Sequence, residues 1–589
     1  MIRNVMTKFG MVLGVILLTA CGGNKEPGKA CDRCSVIANP IALNYRFQQG
    51  DTTRIYMSDQ PCRREAADPV LEYFNGKYYL FASKSGGYWS SPDLRGWTYI
   101  KCRSIATIDD YAPAVVVWND SLYYMASGGT PRIFRTANPD ADAWVEIETK
   151  FSYPNTDPAF FCDEDGSMYI YWGCSNIDPI VGVQVDPRDG FRAVGQPDTL
   201  ILHNYEKYGW EMPDRGKRKN QAGFNEGPAM VKHGGKYYLQ YAAPATELRM
   251  YGDGVYVSDK PLGPFEYMEN SPFSYKSGGF IGGAGHGHTF RDKYGNYWHV
   301  ATMTVSVRHM FERRLGLFPV WFTADGGMYA HTLFADYPFS VPDRKVDFGQ
   351  DDRWTGWNLL SFGKAVSSSS ALPGYGSELA NDEQVETWWS AATGDAGEWW
   401  QVDLGKEMDV EALQVNFADM YFTNTSEHSY VVYRYEVEAS ADGEHWGRIV
   451  DRTQNEADLP HELIVLPKAL RTRYLRITNA VPLEGMFSVS DFRVFGDGLG
   501  EKSAVVTDLS VVRDSADRRR IALQWVSCDG ATGYIIRWGV SPECMNNAIM
   551  VNGNRYCSHI FNRDSKYCFS IDAFNENGVT KGMTVIEVE

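Results

Sequence analysis

Five similar segments recur along the N-terminal half of the chain, and this repetition limits the fold more than any other feature. Each unit has a short strand, a turn such as Asn75-Gly76 or Asp165-Gly166, and a second strand rich in aromatic residues. The units recur at roughly 45 to 70 residues, the period of a four-stranded propeller blade. The simplest interpretation is a five-bladed β-propeller over residues 41–345, and the alternative is a twisted β-sandwich. The paired strands of the five units are Ala67-Asp68-Pro69-Val70 with Lys77-Tyr78-Tyr79-Leu80, Tyr111-Ala112-Pro113-Ala114 with Leu122-Tyr123-Tyr124-Met125, Thr156-Asp157-Pro158-Ala159 with Met168-Tyr169-Ile170-Tyr171, Asn225-Glu226-Gly227-Pro228-Ala229 with Lys236-Tyr237-Tyr238-Leu239, and Gly285-His286-Gly287-His288-Thr289 with Asn296-Tyr297-Trp298-His299.

The first strand of each unit should be the innermost strand of its blade, and innermost strands converge on the propeller axis. The residues that open these strands, Asp68, Ala112, Asp157, Glu226 and His286, should therefore meet around one central pocket. A single aspartate before proline is a common turn device and would mean little. Three acids at equivalent places in three blades indicate a functional pocket.

Two carboxyl groups facing one pocket suit the hydrolysis of a glycosidic bond, which needs an acid for the leaving oxygen and a second carboxylate opposite it. The motifs around Asp68, Asp157 and Glu226 resemble, in order and spacing, the three acid motifs of glycoside hydrolase family 43. The resemblance implies a five-bladed propeller and an inverting reaction. It also implies that Asp68 is the general base, that Glu226 is the general acid, and that Asp157 orients this acid and raises its pKa.

Four further positions are candidates for contacts with a substrate. Arg313 resembles the substrate-contacting arginine of the family, with Arg314 as the alternative. His286 resembles the central histidine that binds calcium in some members, and the alternative is a hydrogen-bonded histidine without metal. Tyr111 and Trp210 are candidate pocket walls, or else they are packed inside the blades. A calcium ion would be structural, because an acid–base pair needs no metal, and no cofactor is expected for the chemistry.

The N-terminus has the pattern of a sorting signal. Arg3 and Lys8 precede a short apolar run that ends in Leu18-Thr19-Ala20-Cys21. A basic start, a short apolar core and small residues are typical of a secretory signal peptide. Leu-Thr-Ala-Cys also resembles a bacterial lipobox, which implies cleavage before Cys21 and lipidation of its thiol; the alternative is an ordinary signal peptide. We therefore expect a signal peptide over residues 1–20, a tether over 21–40, and export to the periplasm or cell surface with a lipid anchor in a bacterial membrane.

The blade repeat stops after residue 345, and two smaller β domains are predicted beyond it. Glu398-Trp399-Trp400-Gln401-Val402-Asp403-Leu404-Gly405 and Arg473-Tyr474-Leu475-Arg476-Ile477 resemble the discoidin or coagulation-factor type C jelly roll, over residues 360–497. In hydrolases such domains are often family 32-like carbohydrate-binding modules, and a scaffold role is the alternative. Residues 503–589 alternate in polarity and are predicted to form a small fibronectin type III-like sandwich. The predicted fold class is all-β.

The charge and the motifs leave three classes of function to compare. A net charge of −17 argues against nucleic acid as a partner, because phosphate binding needs a basic face. The leading hypothesis is a monomeric, exo-acting α-L-arabinofuranosidase on plant polysaccharides, with β-xylosidase or galactan- and galactofuranoside-active hydrolase as alternatives within the family. A non-catalytic glycan-binding propeller is the second class. A sialidase-like function is the third, and it rests only on the Asp-box-like motif at Ser440-Ala441-Asp442-Gly443-Glu444-His445-Trp446.

Overall fold

The computed structural model describes residues 33–48, 62–213, 222–422 and 430–589. The predicted signal peptide and Cys21 lie outside the described residues. Within these ranges the chain is built from strands, and the all-β prediction is confirmed. None of the described helices is long and apolar enough to cross a membrane. The helices in these ranges are single 3₁₀ turns at Arg33–Ser35, Pro139–Ala141, Pro187–Asp189, Gly209–Glu211 and Ser377–Ala380.

Five antiparallel sheets follow one another along the chain and form the blades of the propeller. Blade 1 contains Ala67–Phe74, Lys77–Ser83, Gly87–Ser91 and Thr98–Lys101, and blade 2 contains Ala114–Trp118, Ser121–Met125, Ile133–Thr136 and Val145–Ile147. Blade 3 contains Ala159–Cys162, Met168–Trp172, Ile180–Asp186, Arg192–Ala193 and Asp198–Ile201. Blade 4 contains Cys174–Ser175, Asn225–His233, Lys236–Ala243, Gly252–Ser258, Glu266–Tyr267 and Ser274–Tyr275. Blade 5 contains Gly282–Arg291, Tyr297–Thr304, Arg313–Phe322 and Met328–Ala330.

The innermost strands of the five blades contact one another in a closed ring. The segment before blade 1 seals the ring, because Val36–Ile37 pairs with Phe339–Ser340 after blade 5. Ile41 and Tyr45 of the same segment pack into the apolar core between blades 1 and 5. Burial of these apolar faces holds the first and last blades together.

A residue in the left-handed backbone region lies in or just before each innermost strand. The φ angles are 51° at Asp68, 45° at Ala112, 47° at Asp157 and 45° at His286. In blade 4 the left-handed residue is Gly227, at φ 58°. Glu226 therefore lies one position before the place predicted for it, and the longer glutamate side chain is attached one residue earlier than the aspartates of blades 1 and 3.

In four of the five blades, a side-chain oxygen of the preceding blade in the ring accepts a hydrogen bond from the N–H of the left-handed residue. Ser83 accepts a hydrogen bond from the Ala112 N–H, and Thr302 of blade 5 accepts one from the Asp68 N–H. The Asp157 and His286 N–H groups donate in the same way to Ser127 and Asp253. Buried backbone donors that would otherwise lack partners are thus satisfied between blades.

Two β domains follow the propeller. The jelly-roll sheet contains Asn358–Leu359, Ala365–Ser368, Trp389–Ser390, Trp399–Phe417, Tyr435–Ser440, Gly447–Asp451, His461–Asn479 and Ser488–Asp497. The terminal sandwich pairs Ser510–Arg513, Ile521–Gln524 and Arg555–Ser558 in one sheet, and Gly533–Gly539, Asn547–Val551, Tyr567–Asn575, Gly578–Thr580 and Ile586–Val588 in the other. The sandwich shares an apolar core with blades 3 and 4. Phe47–Gln48 and Arg63–Arg64 form a two-stranded ribbon beside blade 1.

Candidate active site

The left-handed bends direct three acids and one histidine to the same end of the propeller axis. The His286 Nδ1 atom lies 3.3 Å from Asp68 Oδ1 and 3.7 Å from Asp157 Oδ2. A carboxylate oxygen of Asp157 and one of Glu226 lie within 4.8 Å of each other and of the Cys174 Sγ atom. The residues predicted to share a pocket are therefore brought together, and all four are largely buried.

Asp68 is held in its ionised form by its neighbours. Its carboxylate accepts hydrogen bonds from the Ser83 hydroxyl (2.5 Å) and from Arg313 Nη1 (3.0 Å). Burial alone would raise the pKa of Asp68, but the charges of Arg313 and His286 and the Ser83 hydrogen bond outweigh it and lower the pKa. An ionised carboxylate in this position can accept a proton.

Glu226 has the opposite protonation preference. Burial, followed by the nearby charge of Asp157, raises its pKa to about 7. Tyr251 donates a 2.6 Å hydrogen bond to Oε1, and the Cys174 thiol donates one of 3.1 Å to Oε2. A carboxyl group with a pKa near neutrality can both hold and release a proton.

Asp157 and His286 lie between Asp68 and Glu226. Burial raises the pKa of Asp157, partly offset by His286. Burial would lower the pKa of His286, but the charges of Asp68, Asp157 and Glu226 outweigh it and raise the pKa. A histidine that favours the charged form balances part of the negative charge that the three acids concentrate here.

Arg313 and Arg314 are adjacent in sequence but point to different places. Besides Asp68, Arg313 binds Glu65 through Nη2 (2.9 Å) and Thr246 through Nη1 (3.2 Å). Arg314 instead donates from Nε to His461 of the jelly roll (2.9 Å). Of the two candidates, Arg313 is the one placed at the acid cluster.

The two candidate aromatic walls have different environments. Tyr111 is partly exposed, its ring faces Lys84 Nζ at 4.4 Å, and it lies 5.6 Å from the ring of Phe311, which neighbours Arg313. Trp210 has no exposed surface, and its indole N–H donates to the Tyr267 hydroxyl at 3.0 Å inside the shared core of blades 3 and 4. The prediction that Trp210 lines the sugar pocket is therefore wrong, because a fully covered ring packed in an apolar core cannot form an open wall.

Several residues of the site were missed from the sequence. Glu65 is fully buried and binds both Arg63 and Arg313, and Tyr251 and Cys174 both bind Glu226. One signal could have identified Cys174. It follows the aromatic second strand of the third unit, at the place in the repeat where Ser83 stands in the first unit.

The described side chains do not fit a calcium ion at His286. Calcium takes six to eight oxygen ligands. The nearest oxygens of the histidine belong to Asp68 and Asp157, with which its own ring is paired. Within the described residues, the cluster able to hold a metal is Asp157, Cys174 and Glu226, and a thiol is not a ligand that calcium prefers.

Two carboxyl groups whose surroundings push their pKa values apart are the arrangement expected of an acid and a base acting together. Asp68 favours the ionised form and Glu226 retains a proton near neutral pH. The pocket end of the propeller can therefore supply one proton and remove another in the same reaction.

Comparison with known sequences identifies two domains. Residues 60–328 match the sequence model described as "Glycosyl hydrolases family 43", and residues 364–481 match the "F5/8 type C domain". Both family assignments made from the motifs are thus confirmed. No curated protein matches the chain.

Several solved structures are similar to the chain. One is described as "Glycoside hydrolase", with 19% identity and a TM-score of 0.44, over 73% of this chain and 97% of that one. An endo-1,4-beta-xylanase from Bacteroides thetaiotaomicron has 22% identity and a TM-score of 0.38, over 46% of this chain and 95% of that one. A family 43 arabinoxylan arabinofuranohydrolase from Bacillus subtilis has 16% identity and a TM-score of 0.35, over 73% and 95% respectively.

Proposed function

We propose that this chain, a glycoside hydrolase with a family 43 domain over residues 60–328, is an inverting, exo-acting α-L-arabinofuranosidase that acts on the side chains of plant polysaccharides. The observation that carries the acid–base mechanism is the opposed protonation of Asp68 and Glu226 at one end of the propeller axis. The inverting course of the reaction rests on the resemblance to the family. The acid motifs do not select the sugar, and the choice of arabinofuranose rests on the family that the motifs resemble, in which α-L-arabinofuranosidase is one of the main activities.

The proposed reaction is a single displacement. Glu226 donates its proton to the glycosidic oxygen while the bond from this oxygen to the anomeric carbon breaks. Asp68 takes a proton from a water molecule whose oxygen forms the new bond to the anomeric carbon from the opposite face. The products are an alcohol and a sugar of inverted configuration, and solvent returns the proton from Asp68 to Glu226.

The neighbouring residues orient and tune this pair. Asp157 keeps Glu226 protonated, because a second carboxylate close by disfavours ionisation of the first. His286 balances the charge between Asp68 and Asp157, from which it lies 3.3 Å and 3.7 Å. Arg313 binds the same Asp68 carboxylate, and we propose that it also contacts the sugar. No metal takes part in the proposed steps.

Two alternative functions remain to be compared with this proposal. A β-xylosidase or a galactan- or galactofuranoside-active hydrolase would use the same carboxyl pair, because the surrounding loops rather than the acids select the sugar. A non-catalytic glycan-binding propeller is the candidate of another class. The opposed pKa values disfavour it, since a binding protein has no need of a carboxyl group that stays protonated near neutral pH.

A panel of aryl glycosides tests the proposal: α-L-arabinofuranoside, β-D-xyloside, β-D-galactofuranoside and β-D-galactopyranoside. We expect cleavage of the arabinofuranoside, and proton NMR should show the inverted anomer as the first product. Cleavage of another sugar in the panel would replace the proposed substrate. A retained anomer would contradict the proposed displacement. If neither the aryl glycosides nor arabinoxylan and arabinan are cleaved, the glycan-binding alternative is favoured.

We also propose that the protein is exported, anchored through lipidated Cys21, and monomeric. Growth of a bacterial host with radiolabelled palmitate should label the full chain and place it in the membrane fraction. The Cys21→Ser variant should lose the label, and a labelled variant would exclude this anchor. Light scattering of the protein solubilised in detergent, corrected for bound detergent, should give the mass of one chain.

A further inference from the structure

Cys174 stands directly opposite Glu226 in the sheet. The strand Cys174–Ser175 pairs antiparallel with the start of Asn225–His233, and Cys174 and Glu226 are register partners. Their contact is therefore set by the backbone. In the sequence repeat, the corresponding place at or just after the second strand holds Ser83 in the first unit, Ser127 in the second and Thr302 in the fifth. The third unit has the thiol of Cys174 where these three have a hydroxyl.

The two oxygens of Glu226 receive hydrogen bonds of different strength. Oε1 accepts from the Tyr251 hydroxyl at 2.6 Å, and Oε2 accepts from the Cys174 thiol at 3.1 Å. Hydroxyl donors to a carboxylate form strong bonds, whereas a thiol is a weak donor. Oε2 is therefore the more basic oxygen, and the acidic proton should reside on it.

We propose that Cys174 is a positioning residue that holds the Glu226 side chain and leaves Oε2 as the oxygen that carries the transferable proton; this inference rests on the proposed role of Glu226 as the acid. A serine in its place would bind Oε2 more strongly and stabilise the ionised carboxylate. An alanine would remove the donor altogether. The two substitutions thus act on the acid in opposite directions. The charged groups that face Glu226 are Asp157 and His286; both are present in every variant, and Asp157 also contacts the side chain at position 174.

Because the two substitutions change the pKa of Glu226 in opposite directions, they should move the basic limb of the pH profile in opposite directions. The Cys174→Ser variant should lower the pKa of Glu226, so that activity is lost at lower pH than in the wild type. The Cys174→Ala variant should raise this pKa, so that the basic limb moves to higher pH. One hydrogen bond of ordinary strength corresponds to a shift of about 0.5 to 1 pH unit. A purely structural role would slow the enzyme without moving the limb in opposite directions.

The experiment measures kcat/KM against pH for the full-length wild type and the two Cys174 variants, with Cys162→Ser as a matched control. Cys162 belongs to the innermost strand of blade 3 but does not contact Glu226. Each enzyme is assayed on two aryl glycosides of the sugar cleaved in the panel. The phenyl glycoside needs protonation of its leaving oxygen, and the 2,4-dinitrophenyl glycoside does not.

The expected result is a pair of opposite limb shifts on the phenyl glycoside and an unchanged profile for Cys162→Ser. Rates on the dinitrophenyl glycoside should stay within about twofold, because that leaving group departs without acid catalysis. Unmoved limbs, or equal losses on both substrates, would overturn the inference about Cys174. The Glu226→Gln variant distinguishes failure of the Cys174 inference from failure of the proposed acid role. This variant should lose activity on the phenyl glycoside alone. Equal losses of Glu226→Gln on both glycosides would overturn the proposed acid role itself.

Discussion

Asp68 and Glu226 carry the same functional group, and their neighbours give them opposite protonation states. Both are buried, which by itself raises a carboxyl pKa. Asp68 is paired with Arg313 and accepts a hydrogen bond from the Ser83 hydroxyl, so its pKa falls. Glu226 has Asp157 nearby and no arginine among its main influences, so its pKa rises to about 7. The difference between acid and base thus lies in which blade residues surround each carboxyl.

The pH dependence of kcat/KM should be bell-shaped. Glu226 must be protonated to act, so activity should be lost as the pH rises through about 7. Asp68 must be ionised, and its lowered pKa places the acid limb below the usual aspartate range. A rate that keeps increasing well above neutral pH would contradict the assignment of Glu226 as the acid.

Removing the positive charge at Arg313 should move the acid limb. The Arg313→Gln variant takes away the largest influence that lowers the pKa of Asp68, so this pKa should rise and activity should be lost at higher pH than in the wild type. The pH profile of kcat/KM on the cleaved aryl glycoside measures this shift. An acid limb that does not move would show that Arg313 does not tune the base.

At the level of single elements, the bend that opens each innermost strand determines where the acids point. Left-handed backbone is unfavourable for residues with a side chain, yet Asp68, Ala112, Asp157 and His286 all adopt it. The hydrogen bonds between neighbouring blades hold these bends in place. Strain kept at a site in this way is typical of functional positions.

Gly227 and Ala112 offer a matched test of the bend. A Cβ atom at Gly227 would lie 2.5 Å from the His286 ring, and its φ of 58° is itself unfavourable for alanine. We expect Gly227→Ala to lower the free energy of unfolding by about 1 to 3 kcal/mol and to reduce activity. Ala112→Gly relieves strain at the equivalent place and should change stability by no more than about 1 kcal/mol. Chemical denaturation measures both, and equal effects would contradict this account of the bend.

The sequence predicted the repeating parts of the site better than the parts that come from between repeats. Asp68, Asp157 and His286 occupy a repeated position, so a comparison of units finds them. The one-residue offset of Glu226 was missed although the prolines mark it: a proline directly follows Asp68, Ala112 and Asp157, whereas in blade 4 the proline follows Gly227.

Tyr251 lies just before the third long strand of blade 4, Gly252–Ser258, where no sequence motif marks it as a partner of Glu226. Trp210 was misplaced for a related reason. An aromatic residue in an irregular connection looks the same in sequence whether it faces a pocket or a neighbouring domain. Here the terminal sandwich and blades 3 and 4 cover Trp210 completely.

At the scale of the whole molecule, the jelly roll is joined to the propeller close to the active site. Arg64 has no exposed surface and binds Asp419 (2.7 Å) and Asp458 (2.8 Å) of the jelly roll. The next residue, Glu65, binds Arg313, which binds Asp68. The jelly roll therefore supports the segment that holds the proposed base, which gives substance to the scaffold role considered from sequence.

Breaking the ion pairs of Arg64 with Asp419 and Asp458 should lower the stability of the fold. The Arg64→Met variant would leave two buried carboxylates without their partner, and we expect it to lower the free energy of unfolding by roughly 3 to 5 kcal/mol. Arg473→Met is the matched control, because its pair with Asp403 is partly exposed and should contribute about 0 to 1 kcal/mol. Urea denaturation compares the two variants. Similar losses of stability in both would show that the buried Arg64 ion pairs stabilise the fold no more than an exposed pair does.

The most direct test of the acid–base assignment is the turnover of the phenyl glycoside, whose leaving oxygen needs protonation, by the wild type, Asp68→Asn and Glu226→Gln, with thermal unfolding as a check on the fold. Each variant should lose roughly 10²–10⁴-fold in rate, because each substitution removes one proton-transfer group. The unfolding temperature should not fall, because the rest of the site is unchanged. A folded variant of either kind with near wild-type turnover would contradict the account, because the proposed acid–base pair would then not carry the reaction.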